Sequence, residues 1–277
     1  MDAKAMTAPP ISVTQPPARD LPRDSIYRRN DAVLLPAAGI VAILVLWQIA
    51  WSLGWISPLF FSGPSAIARR FIEMVQSGEL QSNASFSGKN FLFGFVIAVL
   101  VAVPAGIVIG WYRRLGIALN PLLNAFYATP RIALYPLIII WFGIGSGSAV
   151  FLVFLASAMP ILLNTIAGVR NIDSDLLRAA RAFCATDRQI FVTVALPSSV
   201  PFILTGVRQA VAHGLIAVII AELTAGNHGI GFMIAQAGQT FATDTLLVGV
   251  LLTSFAGMLL SWLTERLERY FQRWRTR

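Results

Sequence analysis

Apolar residues in this chain fall in long blocks rather than in the short alternating runs of a soluble fold. Residues 32–53, AVLLPAAGIVAILVLWQIAWSL, and 91–112, FLFGFVIAVLVAVPAGIVIGWY, each reach the roughly 20 residues a helix needs to cross a bilayer core. A third block, 117–143, is interrupted by Pro121, Pro130 and Pro136; 148–168, about 200–224 and 245–264 complete the set. The pattern predicts an all-α polytopic membrane protein with six transmembrane helices. Trp47, Trp51 and Trp55 gather toward the end of the first block, as an interfacial aromatic belt would. Ala102, Gly106 and Gly110 put small residues on one face of the second, the pattern of close helix packing. Pro104, Pro130, Pro136 and Pro160 are expected to break their helices where neighbours re-satisfy the freed carbonyls.

Composition strengthens this reading. Only 12% of the residues are charged, against about 25% in soluble domains. The net charge of +8 would suit a nucleic-acid binder, but in a membrane protein basic residues mark the loops that stay in the cytoplasm. With the N-terminus inside, sixteen of the 21 basic residues fall in cytoplasmic segments and only Arg69, Arg70 and Lys89 outside. Both termini are therefore expected in the cytoplasm of a multi-pass inner-membrane protein, with no nucleic-acid partner. Residues 1–31, holding Pro9, Pro10, Pro16, Pro17 and Pro22 and no apolar core, read as a disordered tail. Residues 32–265 then form the transmembrane domain and 266–277 a basic tail. The outer segment SGPSAIARRFIEMVQSGEL (62–80) predicts a short surface helix with Ile67, Phe71, Ile72 and Val75 on one side.

One stretch breaks the apolar run. RAARAFCATDRQIFVTVALP (178–197) carries Arg178, Arg181, Asp187 and Arg188 between the fourth and fifth blocks. Asp173 or Ser174 can cap a helix whose apolar face is Leu176, Leu177, Ala180, Phe183 and Cys184. Thr186 with Gln189 spells a capping box that starts a second helix just after a turn at Cys184–Ala185. Ile190, Phe191 and Val194 give that helix its own apolar face, and Pro197 is expected to stop it. Helices this short are not stable alone in water. They either lie on the membrane or bundle, or dock in a groove on a soluble partner.

The island resembles the EAA loop of ABC-transporter permease subunits, whose pattern is E-A-A, three residues, G, nine residues, I-x-L-P. Arg178, Ala179 and Ala180 take the E-A-A places, Cys184 the glycine place, Val194 the isoleucine place, and Leu196 and Pro197 the L-P. TPRIALYPLIIIWFGIG (129–145), PILLNTIAGVRNID (160–173), LPSSVPFILTGVRQAV (196–211) and AELTAGNHGIGFMI (221–234) extend the resemblance to permeases of the nitrate/sulfonate/taurine type over roughly residues 55–270. The resemblance implies a six-span permease of the type I importer fold, working as a homodimer. Each copy would dock one cytoplasmic ATPase through Arg178, Ala179, Ala180, Phe183, Cys184, Leu196 and Pro197, and a periplasmic binding protein would deliver the solute. Relatives carry Glu and Gly where this chain has Arg178 and Cys184. A cysteine held at φ > 0 would cost about 1 kcal/mol relative to glycine.

No G-x-x-x-x-G-K-[ST] loop occurs, so the chain is not expected to be an enzyme or to hydrolyse ATP itself. The two histidines, His213 and His228, are too few for most metal sites, so no metal or cofactor is expected. Ionisable residues inside spans mark pathways by default. Arg131, Arg208, His213 and Glu222 are the candidates for the translocation path. Arg131 and Arg208 could attract an anion, although Arg208 can equally snorkel or pair near the cytoplasmic end. The alternatives are the same architecture importing a thiamine or pyrimidine precursor, a stand-alone secondary carrier, and a membrane-embedded enzyme.

Overall fold

The computed structural model describes residues 26–55, Ser57 and 60–272. Contacts divide the chain into residues 1–46 and 47–277. The first unit contributes most of α1 (Ile26–Ser52), which starts before residue 32 and carries Pro36 without interruption. The rest of the predicted N-terminal tail lies outside the described residues.

In the second unit, α2 (Pro64–Ser77) starts on Pro64 and ends on Gly78 at φ +78°. Ile67 and Met74 turn inward, with Leu80, Ile230, Met233 and Val248 around them. Phe71, Ile72 and Val75, expected on the same side as Ile67, are exposed instead. The register is set by Arg70, on the inward-turned side. Its guanidinium donates to Thr245 Oγ1 at 2.9 Å and to Glu79 Oε2 at 3.3 Å, tying the helix to the bundle.

Three long helices make the core: α3 (Glu79–Trp111), α6 (Ser146–Arg170) and α9 (Leu196–Ala225), with α6 packed on both others. Helices in a bilayer have little hydrophobic drive to associate, so they must approach closely to gain dispersion contacts. At Gly106 a Cβ would stand 2.6 Å from Thr165 Cβ and 3.0 Å from the Leu162 carbonyl oxygen. The predicted small face of α3 is therefore the seat of α6. Leu92, Phe93 and Leu100 on α3 point outward, large apolar groups where a soluble helix would carry charge.

Pro104 and Pro160 sit inside α3 and α6, which run on unbroken, contrary to expectation. Pro160 is itself buried in the bundle, and Asn164 Nδ2 donates to its carbonyl oxygen at 2.8 Å. Close packing keeps such a helix whole in a dry environment. Pro130 does end a helix. α4 (Arg113–Ala128) stops there, a 3-10 turn over Arg131–Leu134 follows, and α5 (Tyr135–Phe142) leaves with a bend of 85°. Among the described residues five helices are long and apolar enough to span a membrane, and the bent pair makes six if it is one span.

The remaining helices are α7 (Ser174–Ala182), α8 (Asp187–Ile190), α10 (Ile230–Gln239) and α11 (Thr243–Gln272). The last runs well past residue 265, so the described part of the predicted basic tail is helical. Glu268 is held inward there, accepting from Thr205 Oγ1 at 2.9 Å and pairing with Arg208.

Candidate functional site

The loop between α6 and α9 is built from local hydrogen bonds. Asp173 caps α7, its Oδ1 accepting the Asp175 N–H at 2.8 Å. At the far end the Ala185 N–H returns to the Ala180 carbonyl at 3.1 Å and the Cys184 N–H to Arg181 at 2.9 Å. This pair of bonds is the Schellman closure, which places the residue after the C-cap in the left-handed region. Cys184 occupies it with φ +56°, so the turn keeps the geometry of a glycine and carries the strain of a cysteine.

Two residues later the capping box forms as spelled. Thr186 N–H donates to Gln189 Oε1 at 2.8 Å, and Gln189 N–H to Thr186 Oγ1 at 3.4 Å. α8 does not stop at Pro197. A π-turn over Phe191–Ala195 carries it straight into α9, the Leu196 N–H reaching the Phe191 carbonyl. Widening the turn by one residue gives the proline, which has no N–H to offer, a place at the start of the next regular helix. Asp187–Ala225 is thus one 39-residue span.

Only one end of this loop is anchored. Ile190 and Ala195 are buried, and Phe191 meets Trp111 with ring centroids 4.9 Å apart. No residue of α7 is buried. Phe183 is 88% exposed at the tip, and Leu176 is exposed beside it. Arg178 pairs with Asp175 one turn back, both facing solvent, and Ala179 shares that exposed side. Ala180 and Leu196 are half-buried, and Pro197 is exposed.

The intramembrane candidates divide into three settings. Arg131, at the break in the third span, and His213, near the middle of α9, line one cavity of about 250 Å3. Tyr127, Leu152, Ala156 and Ala217 form other parts of its wall. The Arg131 guanidinium lies over the Tyr127 ring, 5.5 Å from its centroid, and its buried Nε–H has no acceptor. Arg208 lies elsewhere, 3.2 Å from Glu268 Oε2 on α11.

Glu222, 2% exposed, sits at the opposite end of the bundle from α7. Ser87 Oγ donates to its Oε2 at 2.6 Å, the Gly231 N–H to the same oxygen at 3.1 Å, and Asn90 Nδ2 to Oε1 at 3.3 Å. Ser87 Oγ in turn accepts the Ile230 N–H at 2.8 Å, and Asn83 Oδ1 accepts the Gly229 N–H at 2.9 Å. The carboxylate therefore joins α9 to α3 and α10, while Asn83 ties the end of the 226–229 loop to α3. Gly229 is obligatory at this seam: its φ is +107° and a Cβ there would stand 2.3 Å from Glu222 Oε2. The sequence reading missed Asn83, Ser87 and Asn90 because it began the second span at residue 91. Their spacing of four and three is a polar helical face that could have found them.

Residues 98–277 match the family described as "Binding-protein-dependent transport system inner membrane component". The chain belongs to this family of ABC-importer permeases. It is 34% identical to the putative aliphatic sulfonates transport permease protein SsuC of Escherichia coli, over 84% of this chain and 89% of that one. It is 30% identical to the taurine transport system permease protein TauC of the same organism, over 87% and 90%. The bicarbonate transport system permease protein CmpB of Synechococcus elongatus is 31% identical over 89% and 91%. An inward-facing structure of the MetNI methionine ABC transporter superposes with a TM-score of 0.57 at 20% identity, covering 70% of this chain and 95% of that one.

The fold is thus that of the type I importer permeases, and the chain is a multi-pass inner-membrane protein of the sulfonate/taurine/bicarbonate type. Permeases of this family work with an ATPase and a binding protein, and hydrolysis is the business of the separate ATPase subunit. Within that frame, the α7–α8 loop presents an exposed Phe183 and the cavity at Arg131 an Nε–H without an acceptor.

Proposed function

We propose that this chain is the permease subunit through which a small anionic solute of the sulfonate, taurine or bicarbonate kind enters the cytoplasm, driven by an ATPase that grips residues 173–197. The carrying observation is the α7–α8 loop, doubly capped and closed by a Schellman turn, with Phe183 standing free at its tip. A nine-residue helix with an exposed apolar face requires a partner to cover it, and a groove on a soluble subunit suits it better than the permease itself. Arg178, Ala179, Ala180, Phe183, Cys184, Leu196 and Pro197 form or frame the docking surface. Because α8 continues into α9, movement of the docked loop is delivered into the span that carries His213 and Glu222. Arg131 and His213 face the path, while Arg208 and Glu222 brace its two ends.

The excess of basic residues on the α7 side supports a cytoplasmic position for this loop and for both termini. A second copy of the chain completes the path, and a periplasmic binding protein hands over the solute. Co-expression with the cognate ATPase, followed by co-purification and ATP-dependent uptake in proteoliposomes, tests the assignment. Uptake that proceeds with no ATPase present overturns it.

A further inference from the structure

We infer that the cavity at the break of the third span is a solute site inside the membrane, where Arg131 holds one anionic group during passage. The inference rests on the reading of the chain as a permease for a small anion, and adds that the permease itself recognises the charge. A buried arginine N–H without an acceptor is uncommon, because leaving a donor dry costs free energy that folding normally avoids. Here the orphan is Nε of Arg131, buried within a side chain that also lines an open cavity. Among the described residues no carboxylate lies within ion-pair distance of this guanidinium. Arg208, by contrast, has Glu268.

The rest of the wall suits a transient stop. Tyr127 lies beneath the guanidinium and helps hold it at the cavity by cation–π attraction. A planar fork of this kind matches the two oxygens of a sulfonate or carboxylate. His213 adds a second nitrogen-bearing group to the same wall, and Leu152, Ala156 and Ala217 keep the remainder apolar. Size narrows the class further. A cavity of about 150 Å3 holds benzene, so the volume here admits a solute of roughly ten non-hydrogen atoms. That covers a short-chain sulfonate or bicarbonate.

The single native cysteine makes a direct test possible. In a Cys184→Ser background, Ala128→Cys places a thiol on the cavity wall and Ser82→Cys places one on a distant exposed surface. The full chain in lipid nanodiscs is treated with 2-sulfonatoethyl methanethiosulfonate, an anionic ethylsulfonate. A parallel sample receives the trimethylammonioethyl reagent, its cationic counterpart of similar size. The anionic-to-cationic rate ratio should be about ten-fold higher at the cavity than at the reference site, the scale of local electrostatic concentration in a charged cleft. Arg131→Gln should bring the two ratios together, and Arg131→Lys should keep them apart. Equal ratios with Arg131 present, or a cavity thiol unreactive to both reagents in a chain that still forms its complex, overturn the site. The readout needs no ATPase, so failure of the chain with its native Cys184 to co-purify with the ATPase, the ratio being intact, would sink the proposed coupling and leave the cavity standing.

Discussion

Glu222 offers the sharpest test of how the bundle is held together at the end away from α7. Three donors converge on its carboxylate: the Ser87 hydroxyl, the Gly231 N–H and the Asn90 amide. The Ser87 oxygen receives the Ile230 N–H while its own hydrogen goes to Glu222. Glu222→Gln keeps the shape but replaces one oxygen by an NH2 that points at the Asn90 NH2. Asn90 can answer by rotating its amide, leaving two charge-assisted bonds turned into neutral ones. Each such change is worth about 1 kcal/mol, so a net loss of about 2 kcal/mol is expected. Glu222→Ala strands all three donors, at about 1–3 kcal/mol each, and should cost about 5 kcal/mol. At roughly 2–4 °C per kcal/mol for a chain of this size, the glutamine variant should melt about 5 °C lower in detergent. Amide exchange should quicken first at residues 226–231, which the carboxylate pins. Wild-type stability for Glu222→Gln, or an alanine variant milder than the glutamine one, would refute a donor-only pocket built around an ionised group.

Three further outcomes follow from the loop and the core. Cys184→Gly relieves an αL side chain and should stabilise the turn by about 1 kcal/mol while leaving ATPase co-purification intact; loss of association would show the thiol itself is needed. Phe183→Ala should weaken ATPase association at least about ten-fold, as removal of an exposed aromatic anchor does, without lowering the melting temperature of the permease alone. Gly106→Ala forces a methyl group against Thr165 and the Leu162 carbonyl, and should cost about 1–3 kcal/mol, read as a lower melting temperature.

Much of this was legible in the sequence, for identifiable reasons. Apolar block length is a direct imprint of bilayer thickness, so the spans could be counted from it. Caps are local chemistry: Asp173, Thr186 and Gln189 act on N–H groups within three residues of themselves, and their roles could be read off the string. What the string hid was mostly tertiary. Pro197 looks like a stop, and only the π-turn before it lets the helix continue. Pro104 and Pro160 look like breaks, but their helices run on through them. That Arg131 and His213 share a cavity while Arg208 pairs with Glu268 depends on which helix faces are brought together across 60 or more residues of chain.

The unbroken course from Asp187 to Ala225 has a mechanical consequence. A helix of that length is a rod of about 58 Å, so a tilt of 10° about its middle swings each end by about 5 Å in opposite directions. The proposed docking loop is mounted on one end and the Glu222 seam on the other. In the proposed coupling, such a rod would need no relay of rearranged side chains to make events on the two faces of the membrane simultaneous. Under the proposed coupling, leverage alone would do it, with His213 close to the fulcrum, where displacement is small and a bound solute would be disturbed late.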